Sequence, residues 1–160
     1  MNGFSRRFLR AIKRPPQFFY AIGLGPIYGR LVLLLTTRGR KTGRPRVTPL
    51  QYEKIDGIFH VASARGDRAD WFRNIVADPR VEVRVRSRRF AGIAEPITDT
   101  GRVADFLEYR LRRHPTMVGA IMRRGGLPRN SGRADIERYA TERALVIVRE
   151  VEANSIERSE

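Results

Sequence analysis

The dipeptide Asp56-Gly57 constrains the fold of this chain more than any other short segment. Both central positions of a two-residue β-hairpin turn need a positive φ, and Asp-Gly is one of the few pairs that accept it. Apolar segments of strand length lie on either side of it, Val47–Ile55 before and Ile58–Ala62 after. The sequence therefore predicts two antiparallel strands that are neighbours in the sheet.

Another strand is predicted upstream, in the apolar run Leu31–Thr37. The segment that follows this run, residues 38–46, holds five cations, two glycines and one proline, and we call it the basic loop. We interpret the two flanking strands as a hairpin with a long basic tip. Three antiparallel strands are thus expected in the first half of the chain.

The second half mixes strand and helix patterns. Val81–Arg86 alternates valine with charged residues, which predicts a strand with one buried face and one solvated face. The other predicted elements are a short helix over Trp71–Val76 capped by Asp67 or Asp70, a strand over Phe90–Ile97, a helix capped by Thr98 or Asp99 that reaches Leu111, helical turns within Pro115–Arg124, a loop over Gly125–Gly132, a short helix over Ala134–Ala140 and a buried strand over Ala144–Val148. About six mostly antiparallel strands favour a small α+β barrel with helices packed outside over a parallel sheet.

Composition narrows the function classes. The net charge is +15, and 29 of the 32 basic residues are arginines, so polyanions and phosphorylated ligands are the first partners to consider. The absence of cysteine excludes a disulfide framework and a thiolate nucleophile, and two histidines are too few for most zinc sites, so no metal is predicted. A nucleic-acid-binding module is an alternative, although no aromatic residues alternate with the arginines at 84, 86, 88 and 89 to stack on bases.

We expect one domain over residues 1–160, with a helical N-terminal segment over 1–30 and a barrel over 31–150. The apolar stretch Phe18–Leu35 is interrupted by glycine, proline and arginine, so no transmembrane helix is predicted, and no secretory signal is apparent. A cytoplasmic location follows. Residues 4–13 form an amphipathic pattern that suits either an end helix covering the core or peripheral contact with an anionic membrane.

The basic loop is the strongest candidate for ligand binding. It differs from a nucleotide-binding P-loop, because Arg40 rather than glycine precedes Lys41 and no helix follows. Its cations and threonine are nevertheless suitable donors for a phosphodiester or a carboxylate tail, and its glycines let the backbone approach closely. The alternative interpretation is a solvated, disordered hairpin tip.

A second candidate segment, Ala62–Gly66, carries small side chains at the end of a predicted strand, where a flat ring can lie against the backbone. The alternative interpretation is an ordinary strand end with turn residues. Trp71-Phe72 is a candidate wall for such a ring, the alternative being a core pair. Neither His60 nor His114 has a serine and a carboxylate in a triad pattern, and no pair of carboxylates stands out, so no catalytic residue is assigned. Ligand-binding residues without acid–base groups indicate a cofactor that carries the chemistry.

Three segments of this sequence resemble a known family. Leu33–Leu50, which includes Gly-Arg-Lys-Thr-Gly-Arg-Pro-Arg, then Val61–Gly66, then Trp71–Asn74 with Asp78–Val81, are similar to the deazaflavin (F420)-dependent nitroreductase family of split β-barrel oxidoreductases. The resemblance implies an α+β split β-barrel of the FMN-binding or pyridoxamine-phosphate-oxidase type, with coenzyme F420 as cofactor. It implies hydride transfer from the reduced deazaflavin to a quinone, an enone or a nitroaromatic.

The resemblance also implies roles for single residues. Arg40, Lys41, Thr42 and Arg46, with Gly43, would hold the phosphate and the acidic tail of F420. Val47, Thr48 and Pro49 would line the approach to the ring, while Ala62, Ser63 and Ala64 would present their backbone to it. Arg65 would add a cationic contact, and Trp71 with Asn74 would close the pocket.

Some expectations stay open. Known members carry Asn and Tyr where this chain has Thr48 and Gln51, and tyrosines before the last strand where it has Gly132, Arg133 and Ile136, so the acceptor of this chain can differ from theirs. Tyr139 is the nearest phenol, either as a proton donor or as a core residue. An FMN-binding split barrel is the enzyme alternative, no specific nucleic acid is expected, and the chain is a monomer or a homodimer.

Overall fold

The computed structural model describes residues 32–152. Its seven strands are β1 (Val32–Arg38), β2 (Pro45–Gln51), β3 (Glu53–Ile55), β4 (Ile58–Ser63), β5 (Arg80–Val85), β6 (Arg88–Ile97) and β7 (Ala144–Glu150). A 3-10 turn over Gly66–Arg68 precedes four helices, which are α1 (Asp70–Ala77), α2 (Thr100–Arg113), α3 (Met117–Arg124) and α4 (Arg133–Ala140). Strands and helices therefore follow the predicted order, with one strand more than expected.

The seven strands form one antiparallel sheet in the order β2-β1-β5-β6-β7-β4-β3. β2 and β4 also contact each other although they are not hydrogen-bonded neighbours, so the sheet curls into a half-barrel. Its concave side holds one apolar core, which includes Leu33, Val83 and Phe90. A second core lies between the convex side and helices α2–α4, as the predicted barrel with outer helices requires.

The predicted tight turn is confirmed, because Asp56 and Gly57 have φ values of 50° and 81° between β3 and β4. The single strand predicted over Val47–Ile55 is wrong. The predicted strand is interrupted at Tyr52. β2 ends at Gln51 and pairs with β1, whereas β3 begins at Glu53 and pairs with β4. β2 and β3 lie at opposite edges of the sheet, which explains why there are seven strands rather than six.

The solvated face predicted for Val81–Arg86 is also partly wrong. Glu82 is only 3% exposed. Its carboxylate accepts two hydrogen bonds from the Arg89 guanidinium, at 2.6 and 2.9 Å, across the β5–β6 pair. A buried carboxylate requires such a partner, and here the partner lies in the adjacent strand, seven positions later in the chain.

Helix α1 packs across one end of the half-barrel against β1 and β6. Ala69 occupies its N-cap position and offers no side-chain hydrogen bond, so the predicted capping by Asp67 or Asp70 is wrong. The Asp70 carboxylate instead forms an ion pair with Arg40 at 2.9 Å. The predicted cap of α2 is confirmed, since Asp99 accepts a 2.8 Å hydrogen bond from the amide of Arg102.

The predictions for residues 1–30, including the amphipathic segment 4–13, lie outside the described residues, and the single-domain organisation stays a prediction. Within residues 32–152, no helix combines the length and the apolar character needed to cross a lipid bilayer.

Candidate functional site

A cleft of about 420 Å³ opens between the basic loop, the start of β2 and the first turns of α1. The residues that line it are Gly39, Arg40, Lys41, Thr42, Arg46, Val47, Thr48, Asp70, Trp71 and Asn74. The structure thus brings together most of the residues singled out in the basic loop and β2, along with Trp71 and Asn74 from α1. Gly39 and Asp70 are additional.

The basic loop is a closed turn rather than an open tip. The amide of Gly39 donates to the carbonyl of Arg44 at 2.8 Å, and the amide of Gly43 donates to the carbonyl of Gly39 at 2.7 Å. Gly43 adopts a φ of 68°, which favours glycine. A Cβ on Gly39 would lie 3.0 Å from both the Arg44 carbonyl oxygen and Thr42 Oγ1. These contacts fix the backbone that carries the cations.

Asn74 ties this loop to α1. Its side-chain oxygen accepts hydrogen bonds from the backbone amide of Arg40 at 3.2 Å and from Arg40 Nη1 at 3.0 Å. Its side-chain nitrogen donates to Thr37 Oγ1 at 3.1 Å. Asn74 is only 3% exposed, so its amide group serves mainly to position Arg40. Asn74 also lines the cleft, and the expectation that it closes the pocket over a cofactor stays a prediction.

The cleft carries an excess of positive charge. Lys41 and Arg46 have exposed side chains, and among residues 32–152 neither forms an ion pair. Asp70 lies opposite them, and hydrogen bonding and charge attraction from Arg40 lower the pKa of its carboxyl group below the ordinary value. Two exposed cations beside one Arg–Asp pair give the cleft a net affinity for anions.

β2 forms the floor of the cleft and α1 forms one of its walls, and the pairing of β2 with β1 determines which β2 side chains face the cleft. Thr48 pairs with Leu35 and Arg46 with Thr37, so both side chains leave β2 on the same face as the concave core. Trp71 is half-buried and packs its ring at 6.2 Å and 78° against Phe72, which is fully within that core. Trp71 is therefore both a core residue and a wall of the cleft, and the two interpretations of the Trp-Phe pair are compatible.

The second predicted cluster does not line this cleft. Ser63 Oγ donates a 2.8 Å hydrogen bond to the carbonyl of Gly66, and Ala62 packs against the outer core. Ala64 and Arg65 are exposed beyond the end of β4. Pro49 is exposed on β2, and Gly43 lies in the turn behind the cleft-lining residues. Cofactor contacts by these residues stay predictions.

Acid–base groups lie elsewhere. His60 Nδ1 is 3.1 Å from the carbonyl of Ile58, and its ring stacks on Phe106. His114 Nε2 lies 3.0 Å from Glu53 Oε1, away from the cleft. Tyr139 packs in the outer core beneath the Arg143 guanidinium. Within the described range no cluster of potential metal ligands exists, and Asp70 is the acidic residue of the cleft.

Sequence reasoning did not find Asp70 as a cleft residue. Its position ahead of an apolar helical segment indicated a helix cap, and its true partner Arg40 lies 30 positions earlier in the chain. The expectation for Gly39 is only that it lets the backbone approach a ligand closely, and the structure places it in the cleft wall.

Comparison with known sequences gives one extended match. Residues 21–131 match the family model described as F420H(2)-dependent quinone reductase. An F420H(2)-dependent quinone reductase of Mycobacterium tuberculosis strain H37Rv is 43% identical over 68 residues, which cover 41% of this chain and 46% of the relative. The chain thus spans about half the length of the curated relatives it matches.

Solved structures share the fold at low sequence identity. A protein described as an F420 reductase superimposes with a TM-score of 0.52 at 18% identity, over 77% of this chain and 88% of its own. HutZ, a heme storage protein of Vibrio cholerae, gives a TM-score of 0.53 at 14% identity, over 87% of this chain and 92% of its own. These similarities confirm the predicted split β-barrel.

Proposed function

The chain belongs to the F420H(2)-dependent quinone reductase family, and from this premise we propose that it is an F420H2-dependent oxidoreductase. Reduced deazaflavin would donate a hydride to a small hydrophobic acceptor, with a quinone as the first candidate and an enone or a nitroaromatic as the others. The cleft of cations between the basic loop and α1 is the observation that carries this proposal.

The residues of the cleft suit the anionic part of F420. Lys41 and Arg46 present ammonium and guanidinium donors that form no ion pair among the described residues, and Thr42 adds a hydroxyl. Phosphate and carboxylate oxygens are the acceptors that such donors favour. At about 420 Å³ the cleft is within the size range of small-molecule sites. The fit supports F420 as the ligand, with its phosphate and γ-glutamyl tail beside the loop.

The protein itself would mainly bind and orient the cofactor and the acceptor. F420, when bound and reduced, supplies the hydride. Trp71 would wall the flat ring, and Thr48 would line its approach from β2. No histidine lines the cleft, so proton delivery by an imidazole there has no support in residues 32–152. Rate enhancement would then rest on holding donor and acceptor in close contact.

Anaerobic mixing of the protein with F420H2 and a quinone tests the proposal. We expect oxidation of F420H2 that needs both protein and quinone, followed as recovery of F420 fluorescence. Lys41→Ala should raise the KM for F420H2 by roughly tenfold, the usual scale for a charge-assisted hydrogen bond. Arg112→Ala removes an equal charge from an exposed position on α2 and should leave KM unchanged.

Two results would count against the proposal. Turnover with reduced FMN in place of F420H2 would favour the FMN-binding alternative. A KM that rises equally in the Lys41 and Arg112 variants would show that total charge, rather than the cleft, attracts the cofactor.

The location of the protein is a separate prediction. We propose a cytoplasmic protein, with residues 4–13 as the segment that would contact an anionic membrane, on the basis of their amphipathic sequence. Flotation with anionic vesicles, with and without residues 1–30, tests this contact. Equal flotation of both chains would contradict it.

A further inference from the structure

One carboxylate lies in a cleft otherwise lined by cations and neutral side chains. Asp70 is the acidic residue among those lining the cleft, and its side chain is 82% exposed. Asp70 Oδ1 accepts a hydrogen bond from Arg40 Nη2 at 2.9 Å. We infer that Asp70 is a specificity-determining residue: its negative charge weakens the binding of anions in the cleft, and weakens it more for ligands that carry more negative charge.

The geometry separates this role from a structural one, because Arg40 is held in place without the Asp70 carboxylate. Arg40 Nη1 donates to Asn74 Oδ1 at 3.0 Å and to the backbone carbonyl of Asp70 at 3.3 Å. The backbone amide of Arg40 donates to the same Asn74 oxygen at 3.2 Å. Replacement of the carboxylate by an amide leaves these three contacts intact. It also leaves an oxygen that can accept from Nη2.

Charge is therefore what the carboxylate chiefly adds. Exposed ion pairs contribute little to folding stability, so the pair is not needed to hold the fold. The Asp70 carboxylate is ionised at neutral pH, and the hydrogen bond from Arg40 lowers its pKa further below the ordinary value. A ligand anion that approaches Arg40, Lys41 or Arg46 meets this negative charge within the same cleft. Repulsion grows in proportion to the charge of the ligand, so polyanions are penalised more than monoanions.

The inference rests on the proposed function for the identity of the ligand, F420, whose phosphate and acidic tail carry several negative charges. It goes further by assigning a charge-dependent limit on cofactor affinity to a residue of this chain. A weaker hold on the tail would also favour cofactor exchange after each turnover.

The test compares wild type, Asp70→Asn and Asp67→Asn. Asp67 is a matched control, because it is exposed, lies just before α1 and does not line the cleft. Two probes are used, inorganic pyrophosphate and F420. Trp71 is the only tryptophan in the chain and lines the cleft, so its fluorescence reports pyrophosphate binding directly.

We expect Asp70→Asn to bind pyrophosphate about three- to tenfold more tightly at low ionic strength, the scale for one unit charge a few ångströms away in hydrated surroundings. The gain should shrink to less than about twofold at roughly 0.5 M salt, because screening acts on exposed charges. Asp67→Asn should match wild type. The gain with inorganic monophosphate should be smaller than that with pyrophosphate.

Equal or weaker pyrophosphate binding by Asp70→Asn would overturn the inference and assign the carboxylate to holding Arg40. An equal gain in pyrophosphate affinity in Asp67→Asn would also overturn the inference, because the effect would then not be specific to the carboxylate that lines the cleft. The F420 arm tests the proposed function separately. Tighter pyrophosphate binding with no F420 binding in either protein would keep the counter-charge and contradict the cofactor assignment.

Discussion

At the scale of single residues, Asn74 explains why the cleft keeps its shape. Its amide oxygen holds the backbone and the side chain of Arg40, and its amide nitrogen holds Thr37 of β1. A buried amide left without partners costs free energy, so the side chain is constrained to this orientation. The WFRN sequence signalled a site residue, but the contacts that define its role span 34 and 37 positions and could not be predicted from local pattern.

Two substitutions distinguish the positioning of Arg40 by Asn74 from the contribution of Asn74 to folding stability. Asn74→Ala and Thr37→Val should each lower the free energy of unfolding by about 1–3 kcal/mol, because each leaves a buried polar group unpaired. Only Asn74→Ala releases Arg40, so only it should also weaken F420 binding, by about tenfold. Urea unfolding and F420 titration of both variants check this. Equal affinity loss in both would mean that Asn74 acts through general stability alone.

At the scale of elements, the hairpin at Asp56-Gly57, the cap of α2 at Asp99 and the strand–helix order were predictable, because their signals are local. The break at Tyr52 was not, since no glycine or proline marks it and its cause is the pairing of β2 and β3 with different strands. The burial of Glu82 could not be predicted from the alternating pattern, because it depends on the register of β5 with β6, which brings Arg89 next to it.

The basic loop itself provides a test at this scale. A Cβ at Gly39 would meet the backbone oxygen of Arg44 at 3.0 Å, so Gly39→Ala should distort the turn and cost about 1 kcal/mol of stability. F420 affinity should fall several-fold with it. Gly132→Ala is the control away from the cleft, because a Cβ there meets nothing within 4 Å, so its cost is limited to that of alanine at the N-cap of α4. Thermal unfolding and F420 titration measure both effects, and a neutral Gly39→Ala would show that the turn is not close-packed.

At the scale of the whole molecule, two groups stand out among the arginines of residues 32–152. Some arginines hold elements together, such as Arg133, which joins Asp105 and Glu108 of α2 to Glu137 of α4. Others, with Lys41, face the cleft. Composition predicted an anionic partner but could not distinguish the groups, because Asp105 and Glu108 lie in a different helix from Arg133, although Glu137 is only four positions away.

The paired carboxyls give a prediction for acid stability. Hydrogen bonds from arginine lower the pKa of Asp78 and of Glu95 below their ordinary values of 3.8 and 4.5. The unfolded chain therefore binds protons more readily than the folded one in acid. Their stabilising contribution is present above about pH 5 and is lost as the pH falls through 4 and below. The urea midpoint of unfolding should decline as the pH is lowered from 7 to 3. The midpoint of Asp78→Asn should decline less steeply than that of the wild type. An identical slope would contradict the contribution of Asp78.

Titration of the wild-type protein with F420, followed by F420 fluorescence and by Trp71 fluorescence, tests the central claim most directly. We predict saturable one-site binding at micromolar concentration, with both signals giving the same Kd and with Lys41→Ala and Arg46→Ala each weakening it about tenfold, the scale of a charge-assisted hydrogen bond. Absence of binding at micromolar F420, or binding that is insensitive to both substitutions, would contradict the assignment of this cleft to the cofactor.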